Sequence, residues 1–409
     1  MSYTRYLAPA AITFLAVHSS AHSAGFALQE RSTSGLGRAF SGEAAIGDDA
    51  TAIASNPAIM TLLGDNAVSA GLAFVSPDLT VKGRINGVVP ANDGGPGQHA
   101  FVPHLYATHK FNEEWAVGLA LHSRFGLSTD YGNSFPAGAV ADNSEIKTIY
   151  ISPKLSYKAT DRLSLGIGFD AVYADGELTN QFNGAKLLGL QGDDWGYGFN
   201  IGLLYEFSDK TRIGLAYHSS IDLKLDGDAS SDTGFPLLIP PGGKSDATLE
   251  AELPDSIEFS VYHEINNCWA IHGDILWTRW STFDELAPDS DDFGPLPVTP
   301  ENWKDTFRLA VGATYKYNDK WTFRAGAAFD ESPVRNAEDR TLRIPDSDRY
   351  WLSTGATYQI NDCYSVDLAF TYIFSEKVKI VEALGPGATF EGTSEGDVSI
   401  LGISVNGKF

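Results

Sequence analysis

The sequence predicts an all-β protein, a 14-stranded antiparallel transmembrane β-barrel with an N-terminal hatch inside its lumen. Three observations lead to this fold class. From residue 66 onward, segments of about ten residues alternate apolar residues with polar or small ones. Short polar turns alternate with connections of roughly twenty residues between these segments. The chain also begins with the pattern of a secretory leader.

Residues 1–23 are predicted to be a signal peptide. The basic residue Arg5 precedes an apolar run from Tyr6 to Val17, and a small-residue end lies just before Ala24. The run is too short for a bilayer, and no later apolar run approaches the ~18 residues of a transmembrane helix. An inner-membrane protein of several helices is therefore excluded. A buried N-terminal helix is the weaker alternative, because the sequence after the run is polar.

Charge and cysteine content exclude further classes. The chain has 29 basic and 52 acidic residues, a net charge of −23, which argues against nucleic acid as a partner. Cys268 and Cys363 are too few for a disulfide framework, and we expect free thiols because they lie at turns four strands apart. The sequence lacks a His-Glu-x-x-His zinc motif. We therefore expect no enzymatic activity, no bound metal and no cofactor.

The alternation predicts the strands. In "RLSLGIGFDAVY", Leu165, Ile167 and Phe169 fall on one face and Ser164 and Asp170 on the other. Fourteen such segments are centred near residues 70, 105, 119, 152, 168, 201, 217, 257, 275, 311, 325, 355, 369 and 402. An even number is what a closed barrel of the bacterial outer membrane requires.

The connections favour a membrane barrel over a soluble β-sandwich. Short turns such as "FNEEW" and "YNDK" alternate with long connections at 80–98, 126–146, 176–193, 226–247, 282–302, 331–348 and 376–394. A sandwich has no reason to alternate in this way, whereas a barrel places short turns in the periplasm and long loops outside. Phe409 ends the chain on the apolar face, which is typical of outer-membrane barrels. We expect a monomer in contact with outer-membrane lipid and lipopolysaccharide.

The predicted hatch comprises residues 24–65, between the signal peptide (1–23) and the barrel (66–409). Fourteen strands enclose a lumen wider than side chains from the wall can fill, so it is either an open channel or plugged. Residues 24–65 are rich in Gly, Ala and Ser and include the stiff turn Asn56-Pro57-Ala58. A disordered tail is the weaker alternative, because apolar Ile59 and Met60 follow the turn.

Several stretches resemble the FadL family of long-chain fatty acid transporters. They are "AGFALQERSTSGLGRAFSGEAAIGDDATAIASNPAIM" (24–60), "FGLSTDY" (125–131), "WTFRAGAAFDESPV" (321–334) and "RIPDSDRYWLSTGATY" (343–358). The resemblance implies a barrel of fourteen strands blocked by an N-terminal hatch. It also implies a kink in the third strand that lets an apolar substrate leave sideways into the membrane.

By position, the resemblance implies site residues in the hatch, wall and outer loops. Phe26 would reach an inner binding pocket, Asn56, Pro57 and Ala58 would guide the hatch along the wall, and Phe125 and Gly126 would form the kink. Gly126 could equally just end the strand. Two outer loops would form an apolar capture groove from Phe182, Leu187, Leu188, Leu190, Phe235, Leu237, Leu238 and Ile239. Alternatively, these two loops only pack on each other.

The head group of a fatty acid requires a cation. Arg308 and Arg324 lie on the inward phase of neighbouring strands, although they can equally pair with Asp330, Asp367 or Glu258 as lumen salt bridges. Three functions remain open. They are uptake of long-chain fatty acids, uptake of other apolar compounds such as aromatic hydrocarbons, and a general porin.

Overall fold

A computed structural model of the chain describes residues 25–235 and 238–409. The predicted signal peptide, Ala24 and the pair Pro236–Leu237 lie outside the described residues. The fourteen predicted barrel strands are confirmed. They are β1 (Asn66–Ile85), β2 (Ala100–Lys110), β3 (Trp115–His122), β4 (Asn143–Lys158), β5 (Leu163–Phe182), β6 (Ala185–Ser208), β7 (Thr211–His218), β8 (Ser256–Glu264), β9 (Trp269–Thr278), β10 (Thr306–Lys316), β11 (Trp321–Asp330), β12 (Arg349–Gln359), β13 (Tyr364–Ser375) and β14 (Ala388–Lys408).

Every barrel strand pairs antiparallel with its neighbours, and β14 closes the barrel on β1. The closing register runs from Ala67↔Lys408 to Ile85↔Phe390. The alternation predicted from the sequence places apolar side chains outward, so that Ile167 and Phe169 are half exposed, whereas Ser164 and Asp170 are buried inside. This pattern makes an apolar outer wall and a polar lumen. Among the described residues, no helix has the length and hydropathy needed to cross a bilayer.

Shorter strands occur on the side of the long connections, and most of them extend the wall, whereas Glu285–Leu286 and Thr299–Pro300 form a separate two-stranded sheet. The shorter strands are Val89–Asp93, Gly126–Asp130, Ile221–Ser230, Lys244–Leu253, Glu285–Leu286, Asp289–Ser290, Gly294–Pro295, Thr299–Pro300 and Val378–Gly385. The prediction of a long loop at 176–193 is wrong, because β5 and β6 continue through these residues and form a hairpin. Asn183 and Gly184 turn it with φ of 51° and 78°, the left-handed pair that a two-residue hairpin requires. Cys268 and Cys363 are free and exposed.

Residues 25–63 lie among inward-facing side chains of the barrel and are almost wholly buried. This N-terminal segment contains a short α-helix, Thr33–Leu36, and the 3₁₀ helices Ala50–Ala54 and Pro57–Leu62; a third 3₁₀ helix, Trp280–Thr282, follows β9. At two positions the backbone of the N-terminal segment lies so close to the wall that only glycine fits on the facing strand. A Cβ on Gly214 would lie 1.7 Å from the carbonyl oxygen of Ala44, and one on Gly326 would lie 2.1 Å from that of Arg38.

Candidate functional site

The third barrel strand is interrupted where the N-terminal segment reaches the wall. β3 ends at His122, which pairs with Tyr150 of β4, and the strand resumes at Gly126, which pairs with Lys147. Residues 123–125 between them make no ladder with β4. Instead, the side-chain hydroxyl of Thr148 donates to the carbonyl of Phe125 at 2.7 Å. Gly126 begins the resumed strand, and the interruption precedes it.

Residues 26–28 occupy the backbone positions that the interruption frees. The amide of Leu28 donates to the carbonyl of Arg124 at 2.7 Å, and the amide of Gly126 donates to the carbonyl of Phe26 at 2.8 Å. Ala27 and Phe125 form an antiparallel bridge. The start of the N-terminal segment is therefore held by the interrupted part of the wall, so that movement of one requires breaking hydrogen bonds to the other.

Phe26 lies at the centre of an aromatic cluster. Its ring centroid is 4.8 Å from Trp280, 5.1 Å from Phe283 and 5.8 Å from both Phe125 and Trp303. Edge and tilted contacts at these distances are the favoured arrangements of aromatic pairs. Sequence reasoning missed Trp280, Phe283 and Trp303. The available signal was the run "TRWSTFDEL", which places large aromatic residues directly after a barrel strand.

An apolar cavity opens beside Phe26. Its empty space, including the open solvent at its mouth, is about 770 Å³. It is lined by Phe26, Leu127, Glu145, Ile146, Gly176, Glu177, Leu178, Leu190, Gln191, Gly192, Leu225, Asp228, Ala247, Thr248, Leu249, Ala251, Leu253, Phe283, Leu286, Pro288 and Ile344. Within the described part of the chain, this lining includes no lysine, arginine or histidine.

The predicted capture groove is only partly assembled. Leu188 and Ile239 are buried in one apolar cluster, and Leu190, Phe235 and Leu238 pack against it. Phe182 and Leu187 are not members of the cluster, and Leu237 lies outside the described residues. The two outer segments pack on each other in this cluster, and their role as a capture groove stays a prediction. Leu190 also lines the cavity, which makes the cluster continuous with it.

Arg308 and Arg324 contact the N-terminal segment and do not line the cavity. Arg308 donates to the carbonyl of Ala39 at 2.8 Å and lies 5.0 Å from the Trp351 ring. Arg324 forms an ion pair with Asp48 at 2.8 Å. The partner of Arg324 is therefore an acid of the N-terminal segment, which sequence reasoning did not name. Their predicted role in binding a substrate carboxylate has no support from these contacts.

Asn56 ties the N-terminal segment to itself and to the wall. It is the N-cap of the helix that starts at Pro57, and its side-chain oxygen accepts from the amide of Ala58 at 2.9 Å. Its side-chain nitrogen donates to the carbonyls of Ala44 at 2.7 Å and Leu203 at 3.0 Å. All three bonds of this fully buried amide thus fix the turn. The gating role of Asn56, Pro57 and Ala58 stays a prediction.

Glu30 is a buried acid that follows directly on residues 26–28. Among the described residues, neither of its carboxylate oxygens has a hydrogen-bond partner. Burial raises the pKa of Glu30 to about 7, against the opposing effects of the nearby backbone amides of Glu30 and Gln29 and of the charges of Arg31 and Arg308. Removal of a carboxylate from water disfavours its charged form unless hydrogen bonds replace the water. The ionised form of Glu30 is therefore disfavoured at this position.

Docking of the N-terminal segment should weaken as pH rises. The pKa of Glu30 is higher when docked (about 7) than when exposed (4.5), so the docked state binds the extra proton. The stabilisation of the docked state by this proton is complete below pH 4.5 and is lost as the pH rises through about 7. The free energy of docking changes by roughly 3 kcal/mol at most. We expect protease cleavage after Arg31 in detergent-solubilised protein, normalised at each pH to cleavage of an unfolded reference peptide, to be faster at pH 8 than at pH 5. Glu30→Gln should reduce this normalised difference, and an unchanged difference would assign it to another group, such as Glu43, whose pKa burial also raises.

A Gly-x-Ser-x-Gly sequence at 392–396, which sequence reasoning overlooked, resembles the spacing of a hydrolase nucleophile elbow. Ser394 lies inside the continuous strand β14, paired with Val81 of β1. A nucleophile elbow requires a sharp turn from a strand into a helix, which exposes the serine. Ser394 is instead buried within a regular ladder, so the geometry gives it no such role.

The sequence comparisons agree with this architecture. The family described as "Outer membrane protein transport protein (OMPP1/FadL/TodX)" matches residues 14–409. A relative from Escherichia coli O6:H1 (strain CFT073), named "Long-chain fatty acid transport protein", is 35% identical over 98% of this chain and 97% of its own length. The chain and this relative thus correspond almost from end to end.

Solved structures show the same fold. A Pseudomonas aeruginosa FadL homologue has a TM-score of 0.86 at 24% identity and covers 94% of this chain and 100% of its own. The Pseudomonas putida toluene transporter TodX has a TM-score of 0.69 at 19% identity and covers 95% and 100%. At these identities the likeness concerns the fold alone. The family match and the end-to-end relative show that the chain belongs to the OMPP1/FadL/TodX family of outer-membrane transport proteins.

Proposed function

We propose that this outer-membrane protein takes up long-chain fatty acids by passive diffusion, gated by the N-terminal segment as a hatch, with lateral exit through the barrel wall. The observation that carries the proposal is the position of the apolar cavity. It shares Phe26 with the aromatic cluster, and residues 26–28 are bonded to the interruption of the third strand. Displacement of residues 26–28 would open a path from the cavity to the interruption in the barrel wall.

The physical chemistry of the substrate supports this route. A fatty acid tail gains about 0.8 kcal/mol for each CH₂ group removed from water. An apolar cavity therefore retains the tail, whereas an open aqueous pore does not. Passage from the cavity through the wall would deliver the tail to lipid without rehydration. The family consists of transport proteins, which supports transport rather than catalysis.

A second substrate class, uncharged apolar compounds such as aromatic hydrocarbons, is favoured by one observation. The cavity lining has no basic residue among the described ones, and it includes the acids Glu145, Glu177 and Asp228. A carboxylate gains no charge partner from these side chains. The lining alone thus suits a hydrocarbon at least as well as a fatty acid.

Uptake by cells that lack their own transporter separates these possibilities. We expect the protein to confer uptake of labelled oleate, and deletion of residues 24–30 to abolish it while toluene entry is unaffected. Purified protein should also show no large steady conductance in planar bilayers, because the N-terminal segment lies inside the lumen. Toluene uptake without oleate uptake would support the second class, and steady conductance would support a porin.

We also propose that the protein acts as a monomer surrounded by outer-membrane lipid and lipopolysaccharide. The exposed apolar side chains, such as Ile167, Phe259, Val311 and Leu401, lie on strands all round the barrel. Such an apolar exterior suits contact with lipid. Cross-linking of the protein in native membranes should then yield a single-chain band.

A further inference from the structure

We propose that Arg343 binds the carboxylate of the fatty acid at the outer end of the apolar cavity. This inference rests on the proposed function, because it supplies the head-group contact of the same site. Arg343 belongs to the inner strap, defined as residues 331–348 between β11 and β12. The strap contacts both the cavity and the N-terminal segment, since Ile344 lines the cavity and Asp346 accepts a hydrogen bond from the amide of Gly25.

The strand register places Arg343 one row outward from the cavity. Thr129, Ser144 and Leu178 are aligned across three neighbouring strands, directly beyond the row of Leu127, Ile146 and Gly176. The inner row lines the cavity, as does Leu178 of the outer row. The Arg343 guanidinium donates to the Ser144 hydroxyl at 2.9 Å, and the backbone carbonyl of Arg343 accepts from the Thr129 hydroxyl at 3.0 Å.

The hydrogen-bond partners of the Arg343 guanidinium are all neutral. In residues 25–235 and 238–409 they are the Ser144 hydroxyl, the Thr179 carbonyl and the Asn180 side-chain oxygen. Arg343 is nevertheless only 6% exposed. A buried cation that bonds only neutral groups is costly, and an anion that bonds it directly recovers part of that cost.

The nearest acids compensate this charge poorly. Glu382, Glu301 and Asp142, which lie in the outer connections, are the acids that act on Arg343. Burial raises the pKa of Glu382 to about 7 and that of Glu301 well above its ordinary value. Burial likewise raises the pKa of Asp142. These carboxyls therefore carry less negative charge at a given pH than exposed carboxyls do, so they offset the charge of Arg343 less.

A fatty acid fits this arrangement by its two parts. Its tail would occupy the cavity along Leu127, Ile146 and Leu178, and its carboxylate would emerge at the outer row. There it would replace Asn180 and the Thr179 carbonyl as acceptors from the guanidinium fork. A carboxylate can accept from both N–H groups of the fork at once and adds an attraction between opposite charges that the neutral acceptors lack. A molecule with the same tail but no carboxylate gains nothing from Arg343.

The test compares oleate with oleyl alcohol, which has the same tail and a neutral head. Both are bound at neutral pH to the purified full-length protein and to Arg343→Met. We expect the variant to bind oleate roughly tenfold or more weakly and oleyl alcohol within about twofold of the wild type. Arg343→Lys should restore part of the preference for oleate. Arg340→Met is the matched control, because this strap arginine bonds the carbonyls of Asp346 and Lys379.

The outcomes separate the inference from the function on which it rests. Equal weakening of oleate and alcohol would make Arg343 a structural tie between the strap and the β5–β6 hairpin, and would overturn the proposal. Unchanged oleate binding in Arg343→Met would overturn it as well. Failure of the wild type to bind oleate at all would instead reject the proposed function. Heat-dependent gel mobility of each variant checks that the barrel is folded.

Discussion

Phe26→Ala is expected to weaken oleate binding by at least roughly tenfold and to loosen the start of the N-terminal segment. The substitution removes a ring that contacts four other aromatic rings and lines the cavity. Truncation of a buried Phe typically costs 3–5 kcal/mol. Part of that cost falls on docking of residues 26–28 and part on the cavity wall. Equilibrium binding of labelled oleate to the purified variant measures the affinity, and proteolysis after Arg31 reports the docking.

The matched control is Phe111→Ala, since Phe111 is 62% exposed at the short turn between β2 and β3 and does not line the cavity. We expect it to leave oleate binding and proteolysis unchanged. If Phe26→Ala binds oleate as tightly as the wild type while its barrel is folded, the cavity beside Phe26 is not the binding site. Faster proteolysis with unchanged affinity would separate docking from binding.

The barrel could be predicted because its physics is local to each strand. Period-two alternation in segments such as 163–173 reflects one face toward lipid and one toward the lumen, and neither depends on a distant residue. The lengths of the strands beyond the membrane were harder to predict from the sequence. Beyond the lipid the alternation no longer separates apolar from polar, so the hairpin turned by Asn183 and Gly184 was taken for a loop.

The site could be predicted only in part, because its residues are brought together by the path of the chain inside the lumen. Phe26 was placed at a pocket by family resemblance, and the structure puts it beside the cavity. Alternation did indicate that Arg308 and Arg324 face inward. It cannot distinguish an inward residue that meets the N-terminal segment from one that meets a ligand. Trp303 and Arg343 lie in connections, where no period exists to indicate their direction.

Asn56→Ala is expected to leave the barrel folded and to raise its ion conductance. Removal of the side chain leaves the carbonyls of Ala44 and Leu203 without their side-chain donor and removes the N-cap bond to the amide of Ala58. A lost buried hydrogen bond costs about 1–3 kcal/mol and a lost cap about 1 kcal/mol. The sum of roughly 3 kcal/mol corresponds to an increase of about a hundredfold in the undocked population. Single-channel recordings in planar bilayers would show more frequent openings.

Gly202→Ala tests the same contact from the wall side. A Cβ at Gly202 would lie 1.9 Å from the side-chain oxygen of Asn56, so the added methyl must displace the amide or the strand. We expect this variant to raise conductance as Asn56→Ala does, and the double variant to add little to either. Asn92→Ala, at an exposed site where the side chain accepts from the amide of Gly83, is the control. Conductance that stays at the wild-type level in both Asn56→Ala and Gly202→Ala would mean that other contacts, such as the ion pair of Asp48 with Arg324, hold the N-terminal segment in the lumen.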